Sequence, residues 1–262
     1  SRNPCQMTYT TKQKSEIEMS TVLPDVGTLY RHPMGTKLNK IPVLFIPGNM
    51  GSADQVRSLS SPMHNKDEVF RYFAVHFKKP LSAIHGSILL SQAAFVNDAL
   101  ETVRALYKKP VSIMMVGHSL GGMVARTAVT LSNHPRPANG QCVVSDIIML
   151  NTPNRGPAYS PDGSMEAIYN AVNKVWRESY YNESANCKRS RLEANDPVLA
   201  GQMRGKGTVS MNQKCALCAS TVRLLSVSGG DLDILVPAHL TPIDIVAPLA
   251  RNITHIQSQK GG

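Results

Sequence analysis

The stretch MMVGHSLGGMVA, residues 114–125, decides how the rest of this 262-residue chain is to be interpreted. The stretch begins with apolar residues, has a serine flanked by glycines at its centre, and continues into apolar residues at helical spacing. Gly117-His118-Ser119-Leu120-Gly121 matches G-x-S-x-G, in which a serine occupies a sharp turn from a strand into a helix. Side chains at the flanking positions would collide, so glycines are needed there. The pattern predicts that Ser119 is a nucleophile.

Apolar runs on both sides of this turn predict a mostly parallel sheet. They alternate with helical patterns, one reaching from Phe95 to Tyr107 and one from Leu120 to Leu131, and such alternation places helices on both faces of parallel strands. The predicted strands are IPVLFIPG (41–48), VFRYFAVHF (69–77), VSIMMVG (111–117), SDIIMLNTP (145–153) and TVRLLSVSGG (221–230). We therefore expect a single α/β domain with the α/β-hydrolase fold over residues 1–262.

Residues 154–214 interrupt this alternation with a polar and basic sequence. A helical pattern is present only from Met165 to Trp176. In an α/β hydrolase, an insertion at this point would lie above the active-site edge of the sheet, where lids are found. We expect an inserted cap or loop region, with a surface loop as the alternative.

The charge of the chain limits its partners. With 28 Lys and Arg against 18 Asp and Glu, the net charge is +10, which favours anionic partners such as phospholipid head groups. Zinc-finger spacing, an RNP-like strand and a recognition-helix pattern are all absent, so no nucleic-acid partner is expected. No apolar stretch is long enough to span a bilayer. The chain opens with Ser1 and lacks a signal-peptide pattern, so we expect a processed or excised piece.

Cysteines and sequons bear on the cellular compartment. Five cysteines are too few for a disulfide scaffold, and their odd number leaves at least one without a partner in the chain. Cys215 and Cys218 form one C-x-x-C, which suits a local disulfide, a redox pair or half a zinc site. Without a second such pair, no metal site is expected. Asn182 and Asn252 lie in sequons that would carry glycans in a lumen.

A serine nucleophile needs backbone donors to stabilise the oxyanion that forms. One donor should be the N–H of Leu120, directly after the serine at the positive end of its helix. The second should come from the loop after an early strand, and IPGNMGS (46–52) is such a loop. We therefore expect Asn49 to be the second donor. This chemistry requires no cofactor.

The acid of the triad should follow a later strand, because the order in this fold is serine, acid, histidine. LLSVSGGDLDILVP (224–237) supplies two candidates, Asp231 and Asp233. Position after the strand does not separate them.

These residues resemble the glycosylphosphatidylinositol (GPI) inositol-deacylase family, a branch of the lipase-like α/β hydrolases. The similar stretches are CQMTYT (5–10), VLFIPGNMGSADQVRSL (43–59), VGHSLGGMVAR (116–126), LNTPN (150–154) and LSVSGGDLDILV (225–236). The family's acid lies in a Gly-Gly-x-x-Asp-x-x-Val pattern, and this resemblance selects Asp233 over Asp231.

The resemblance also implies a location and a substrate. Family members reside in the endoplasmic reticulum membrane, with the catalytic domain on the luminal side, and hydrolyse the acyl ester on the inositol of GPI-anchored proteins. They carry membrane helices before and after this domain, so the present chain would be the luminal catalytic part. Its expected partners are GPI-anchored proteins or another lipid ester, and a membrane surface.

The sequence departs from the family at the base. The family's histidine falls in an Asp-His motif followed by apolar residues and Trp, and this motif is absent. His255, 22 residues after Asp233, is the candidate in this chain, and the alternative is that the base is missing. Three functions stay open: a GPI inositol deacylase, a broader lipase or phospholipase, and a noncatalytic lipid-binding domain.

Overall fold

A single sheet organises the computed structural model, which describes residues 14–21, 23–32, 40–60, 69–78, 85–138, 142–161, 163–181, 221–229, 235–243 and 253–257. Eight strands within these ranges are hydrogen-bonded in the order β1-β2-β4-β3-β5-β6-β7-β8. They are β1 (Ser15–Ile17), β2 (Gly27–Arg31), β3 (Ile41–Ile46), β4 (Phe70–Phe77), β5 (Ile113–His118), β6 (Val144–Leu150), β7 (Arg223–Ser228) and β8 (Ile253–Gln257). Strands β3 to β8 are parallel, and β2 is antiparallel to both of its neighbours.

Helices cover both faces of the sheet, as the sequence predicts. Those in the described residues are α1 (Val56–Ser60), α2 (Gly86–Ala105), α3 (Leu120–Thr130) and α4 (Ser164–Tyr181), with short 3₁₀ turns at Ala53–Gln55 and Ala238–Leu240. Successive side chains of β3 point to opposite faces. Leu44 and Ile46 join the core formed with α2, α3 and α4, whereas Val43 and Phe45 pack near α1. Within the described segments, no helix is both long and apolar enough to cross a membrane.

The five strands predicted from the sequence are all present, with ends that differ by at most three residues. Three strands were not predicted, namely β1, β2 and β8. Each is only three to five residues long and mixes polar with apolar side chains, so its local pattern is weak. The helix predicted from Phe95 to Tyr107 begins nine residues earlier, at Gly86, and ends at Ala105.

Helix α4 is a core helix, and its buried side chains form one stripe along it. The fully buried members of the stripe are Met165, Ile168, Tyr169, Val172 and Trp176. They belong to the same core as α2 and α3, so α4 is part of the helical layer on that face. The rest of the predicted cap, from residue 182 to 214, lies outside the described residues and stays a prediction.

The carboxyl ends of the parallel strands meet at one edge of the sheet. His118 of β5 is in register with Leu150 of β6, Leu150 with Val227 of β7, and Val227 with Ile256 of β8. Segments that follow these strands therefore leave the sheet at the same edge, where ligands bind in parallel α/β sheets.

Candidate active site

Ser119 occupies a strained turn between β5 and α3. Its φ of 52° and ψ of −127° are values that side-chain-bearing residues rarely adopt and that cost on the order of 1–3 kcal/mol. The surroundings hold this conformation: the Ser119 N–H donates to the Leu150 carbonyl at 2.8 Å, and the Thr152 hydroxyl donates to the Ser119 carbonyl at 2.8 Å. The sharp strand-to-helix turn predicted from the motif is thus present.

The glycines of the motif are required by close backbone approaches. A Cβ on Gly117 would overlap the backbone of Gly122, and one on Gly121 would overlap the backbone carbonyls of Ile46 and Pro47. Backbone atoms cannot move aside as a flexible side chain can. The collision expected at the two flanking positions is therefore confirmed, and it explains how α3 can begin so near to β3.

The predicted oxyanion loop lies directly against Ser119. A Cβ on Gly48 would be only 2.7 Å from the Ser119 Cβ and 3.3 Å from its hydroxyl oxygen. The loop turns tightly here, with the Gly51 N–H donating to the Gly48 carbonyl at 3.0 Å. Asn49 follows Gly48 in this turn, and Leu120 is the first residue of α3. Both predicted donors thus belong to segments that adjoin Ser119, and their role in binding an oxyanion stays a prediction.

Left-handed backbone conformations cluster at this edge of the sheet. In the described part of the chain, the non-glycine residues with positive φ are Met50, Ser119 and Asn151. They follow β3, β5 and β6 respectively, at the carboxyl ends of three adjacent strands. Such strain persists only where the surrounding structure holds it, and it is typical of functional sites. The structure therefore concentrates strain where the sequence predicts catalysis.

The predicted acid candidates, Asp231 and Asp233, lie outside the described residues, and the choice between them stays a prediction. The residues on either side of them are described. Strand β7 ends at Ser228 and lies two strands away from β5, the strand that leads into Ser119. The Gly229 N–H donates to the Asn151 side-chain oxygen at 3.0 Å. The segment that contains both aspartates therefore starts at the edge where Ser119 lies.

His255, the candidate base, lies inside β8 and not in the segment after it. Its backbone is in register with Ser226 of β7, and the strand continues to Gln257. Its side chain is not among those described. A triad histidine acts at the carboxyl edge, and Ile256 is the β8 residue in register with the ends of β5 and β6. His255 is one residue before that edge, and its role as base stays a prediction.

Two buried histidines belong to the framework of the fold. Burial lowers the pKa of His134 to about 4, and its Nδ1 lies 2.9 Å from the Asn97 side-chain oxygen. Burial also lowers the pKa of His32, against the opposing effect of the nearby Asp54 carboxylate. His32 follows β2 and donates its backbone N–H to Tyr72 near the start of β4, which is the opposite edge of the sheet from Ser119.

A buried polar network beneath the site was missed by the sequence reasoning. Arg126 of α3 is fully buried and donates to Asn154 at 3.3 Å and to Asn173 of α4. The Trp176 indole N–H donates to the Arg126 carbonyl at 3.1 Å, and the Arg126 guanidinium lies 5.9 Å from the Trp176 ring centre. Burial raises the pKa of the neighbouring Tyr169 hydroxyl. The residues of this network lie in the stretches VGHSLGGMVAR and LNTPN and in the helical pattern from Met165 to Trp176, but none of these patterns predicted a contact between them.

Comparisons with known proteins agree with this geometry. The family model described as "PGAP1-like alpha/beta domain" matches residues 37–260. Over 244 residues, the chain is 31% identical to a "GPI inositol-deacylase" of Aspergillus oryzae, covering 83% of this chain and 19% of that protein. It is 32% identical over 244 residues to a "GPI inositol-deacylase" of Phaeosphaeria nodorum, covering 83% and 20%. The chain therefore spans about a fifth of the length of these relatives.

A solved structure supports the fold over nearly the whole chain. A crystal structure from Thermus thermophilus superposes with a TM-score of 0.56 at 14% identity, covering 94% of this chain and 90% of that one. At this identity the likeness concerns the fold alone. Together with the family match, it confirms the α/β-hydrolase fold predicted from the sequence.

Proposed function

Because the chain belongs to the PGAP1-like alpha/beta domain family, we propose that it is a serine hydrolase that removes the acyl chain from the inositol of GPI anchors. The observation that carries this proposal is the strained turn at Ser119 with the loop of Gly48 against it. Relatives that cover most of this chain are named for the same activity. The chain spans about a fifth of the length of these relatives, so the activity for which the whole relatives are named is a proposal for this chain.

The proposed reaction follows from the roles of the residues at this edge. A histidine, with His255 as the candidate, takes the proton of the Ser119 hydroxyl as its oxygen attacks the acyl carbonyl carbon. The backbone N–H groups of Asn49 and Leu120 donate to the oxyanion, and the inositol oxygen leaves with the proton from the histidine. Water then attacks the acyl-enzyme, releases the fatty acid and restores Ser119. Asp233 orients the imidazole throughout.

We also propose an oxidising lumen as the compartment, specifically that of the endoplasmic reticulum at its membrane. Cys142 is disulfide-bonded, and such bonds persist in secretory compartments, whereas the cytosol keeps thiols reduced. The net charge of +10 suits an anionic membrane face that carries the lipid substrate. The proposed partners are accordingly the GPI-anchored proteins that bear the ester. The proposed unit is one domain over residues 1–262. Because α4 belongs to the core, the proposed cap or loop insertion is reduced to residues 182–214.

Hydrolysis of defined lipids tests the substrate. The purified chain would be incubated with inositol-acylated GPI and, separately, with phosphatidylcholine and a triglyceride, and released fatty acid would be measured. The proposal predicts release from the acylated GPI alone, and loss of release in Ser119→Ala. Ser91→Ala is the matched control, since Ser91 donates within α2 to the Ser87 carbonyl, away from the site. Equal release from all three lipids would support a broader lipase, and release that survives in Ser119→Ala would refute the assigned nucleophile.

A further inference from the structure

The four residues after β6, segment 151–154, make hydrogen bonds in two directions from the carboxyl edge of the sheet. Their sequence is Asn151-Thr152-Pro153-Asn154. One set of contacts reaches the turn that carries Ser119. The other reaches Gly229 and Thr241, which stand on either side of the stretch that contains Asp231 and Asp233. Such contacts are informative because the nucleophile and the acid must be held in a fixed relation.

The contacts to the nucleophile turn come from Thr152 and from the end of β6. The Thr152 hydroxyl donates to the Ser119 carbonyl at 2.8 Å, and the Leu150 carbonyl accepts the Ser119 N–H at the same distance. The Thr152 side chain also fills the space that a Cβ on Gly122 would take. Segment 151–154 is therefore fixed to the backbone of the residue proposed as nucleophile.

Asn151 holds the near end of the acid-bearing stretch. Its φ of 53° turns its side chain toward β7, where the side-chain oxygen accepts the Gly229 N–H at 3.0 Å. Its own N–H donates to the Val227 carbonyl at 2.7 Å. Asparagine tolerates this left-handed conformation better than most residues and can accept a hydrogen bond there. Two residues after Gly229 comes Asp231.

Asn154 holds the far end of the acid-bearing stretch. Its side-chain amide is fully buried, and it donates to the Thr241 carbonyl at 2.7 Å and to the Ser226 hydroxyl at 3.2 Å. The orientation of the amide is fixed by Arg126, which can only donate and therefore requires the Asn154 oxygen on its own side. The next residue, Arg155, adds a backbone bond from its N–H to the Leu240 carbonyl at 3.0 Å.

From these contacts we infer that Asn151 and Asn154 are positioning residues that hold both ends of the acid-bearing stretch, at Gly229 and Thr241, in a fixed relation to Ser119. The inference rests on the proposed serine hydrolase function. It goes beyond that function by assigning a task to two amides that do not react. The bonds join residues that lie 72 to 87 positions apart in sequence, so no local sequence pattern predicts them.

Four variants separate this task from a general contribution to stability. Asn151→Gly keeps the left-handed backbone and removes the acceptor, whereas Asn151→Asp keeps an acceptor at the same place. Asn154→Leu removes both amide donors at nearly constant volume, together with the oxygen that accepts from Arg126. Asn97→Leu is the matched control, because Asn97 is also buried and bonds to α3, through the Ala128 carbonyl, but lies away from the acid-bearing stretch.

The first measurement is hydrogen exchange in peptides that cover residues 229–241. We expect exchange to become about tenfold faster in Asn151→Gly and Asn154→Leu, since each loses bonds that close this stretch, and to stay at the parent rate in Asn151→Asp and Asn97→Leu. Unchanged exchange in both test variants would overturn the inference.

The second measurement is the rate of labelling by a fluorophosphonate as a function of pH. A displaced acid stabilises the protonated base less, so we expect the midpoint of the rate profile to fall in Asn151→Gly and Asn154→Leu, with labelling at least tenfold slower. Asn97→Leu should keep the parent midpoint even if it is less stable. Faster exchange with an unchanged labelling rate and midpoint would overturn the positioning role.

A parent chain that does not label refutes the proposed function instead. The exchange comparison then still decides whether segment 151–154 holds the acid-bearing stretch.

Discussion

Replacing Gly122 by alanine should destabilise the fold, although the same change in most helices is favourable. Gly122 lies in α3, where alanine is preferred over glycine by about 1 kcal/mol. Here the added Cβ would lie 2.8 Å from the Thr152 Cγ2 and 2.9 Å from its Cβ, with the hydroxyl closer still. Carbon atoms pack best at about 3.5–4.0 Å, so each carbon contact is too short by at least about 0.6 Å.

The expected cost follows from the two ways of relieving this overlap. Shifting α3 against segment 151–154 is an overpacking change that costs about 1–3 kcal/mol. Rotating Thr152 instead breaks its bond to the Ser119 carbonyl, which contributes about 1 kcal/mol. After the gain of about 1 kcal/mol in helix propensity is subtracted from an overpacking cost of about 2 kcal/mol, we expect Gly122→Ala to lower the free energy of unfolding by about 1 kcal/mol.

A double-mutant cycle with Thr152→Ala tests the cause. Thr152→Ala alone should cost about 1–2 kcal/mol through the lost bond and methyl group. The double variant should cost less than the sum by about 1 kcal/mol, because the overlaps with the hydroxyl and the methyl group are gone while the one with the Cβ of residue 152 remains. Urea unfolding is followed by the fluorescence of Trp176, which is the sole tryptophan and is fully buried. Gly156→Ala is the control, since nothing lies within 4 Å of its Cβ. Additive costs, or a neutral Gly122→Ala, would refute this reasoning.

Three further results are expected. Ser119→Gly should be more stable than Ser119→Ala by about 1 kcal/mol in urea unfolding, because glycine adopts the φ of 52° without strain; equal stabilities would contradict a strained turn. The pKa of His134 is about 4 in the folded state, below its ordinary 6.5, so the folded protein disfavours protonation of this histidine. The contribution of neutral His134 to the free energy of unfolding is therefore complete above pH 6.5 and is lost as the pH falls toward 4. His134→Gln should remove up to about 3 kcal/mol of this acid destabilisation, and an unchanged pH dependence of unfolding would contradict it. Trp176→Phe should cost about 1–3 kcal/mol in thermal unfolding followed by circular dichroism, since the Arg126 carbonyl loses its indole donor in a buried place; a cost near zero would argue against that bond.

The central fold and the strained turn at Ser119 could be predicted from the sequence because their signals are local. Buried parallel strands are continuous apolar runs, which is why the five predicted strands are all found. The turn at Ser119 is encoded by glycines within three residues of it, and the start of α3 at Leu120 follows from the same stretch. The loop around Gly48 was placed correctly because it directly follows an apolar strand.

The elements and contacts that were not predicted from the sequence depend on interactions between distant parts of the chain. Strand β2 is held by β4, nearly fifty residues away, and β8 by β7, so their own sequences need little strand character. Helix α4 contains buried Tyr169 and Trp176 among polar residues, and only packing on α2 and α3 distinguishes it from a helix of a surface cap. The network of Arg126 and Asn154 likewise joins three elements, so no short motif encodes it.

Labelling of the purified chain with a fluorophosphonate, followed by mass spectrometry of its peptides, tests most directly whether Ser119 is an activated nucleophile. We predict a covalent adduct on Ser119 alone, no adduct in Ser119→Ala, and parent labelling in Ser91→Ala, since Ser91 lies on α2. A parent chain that acquires no adduct, or one that labels equally after Ser119→Ala, would contradict a serine hydrolase built on this turn.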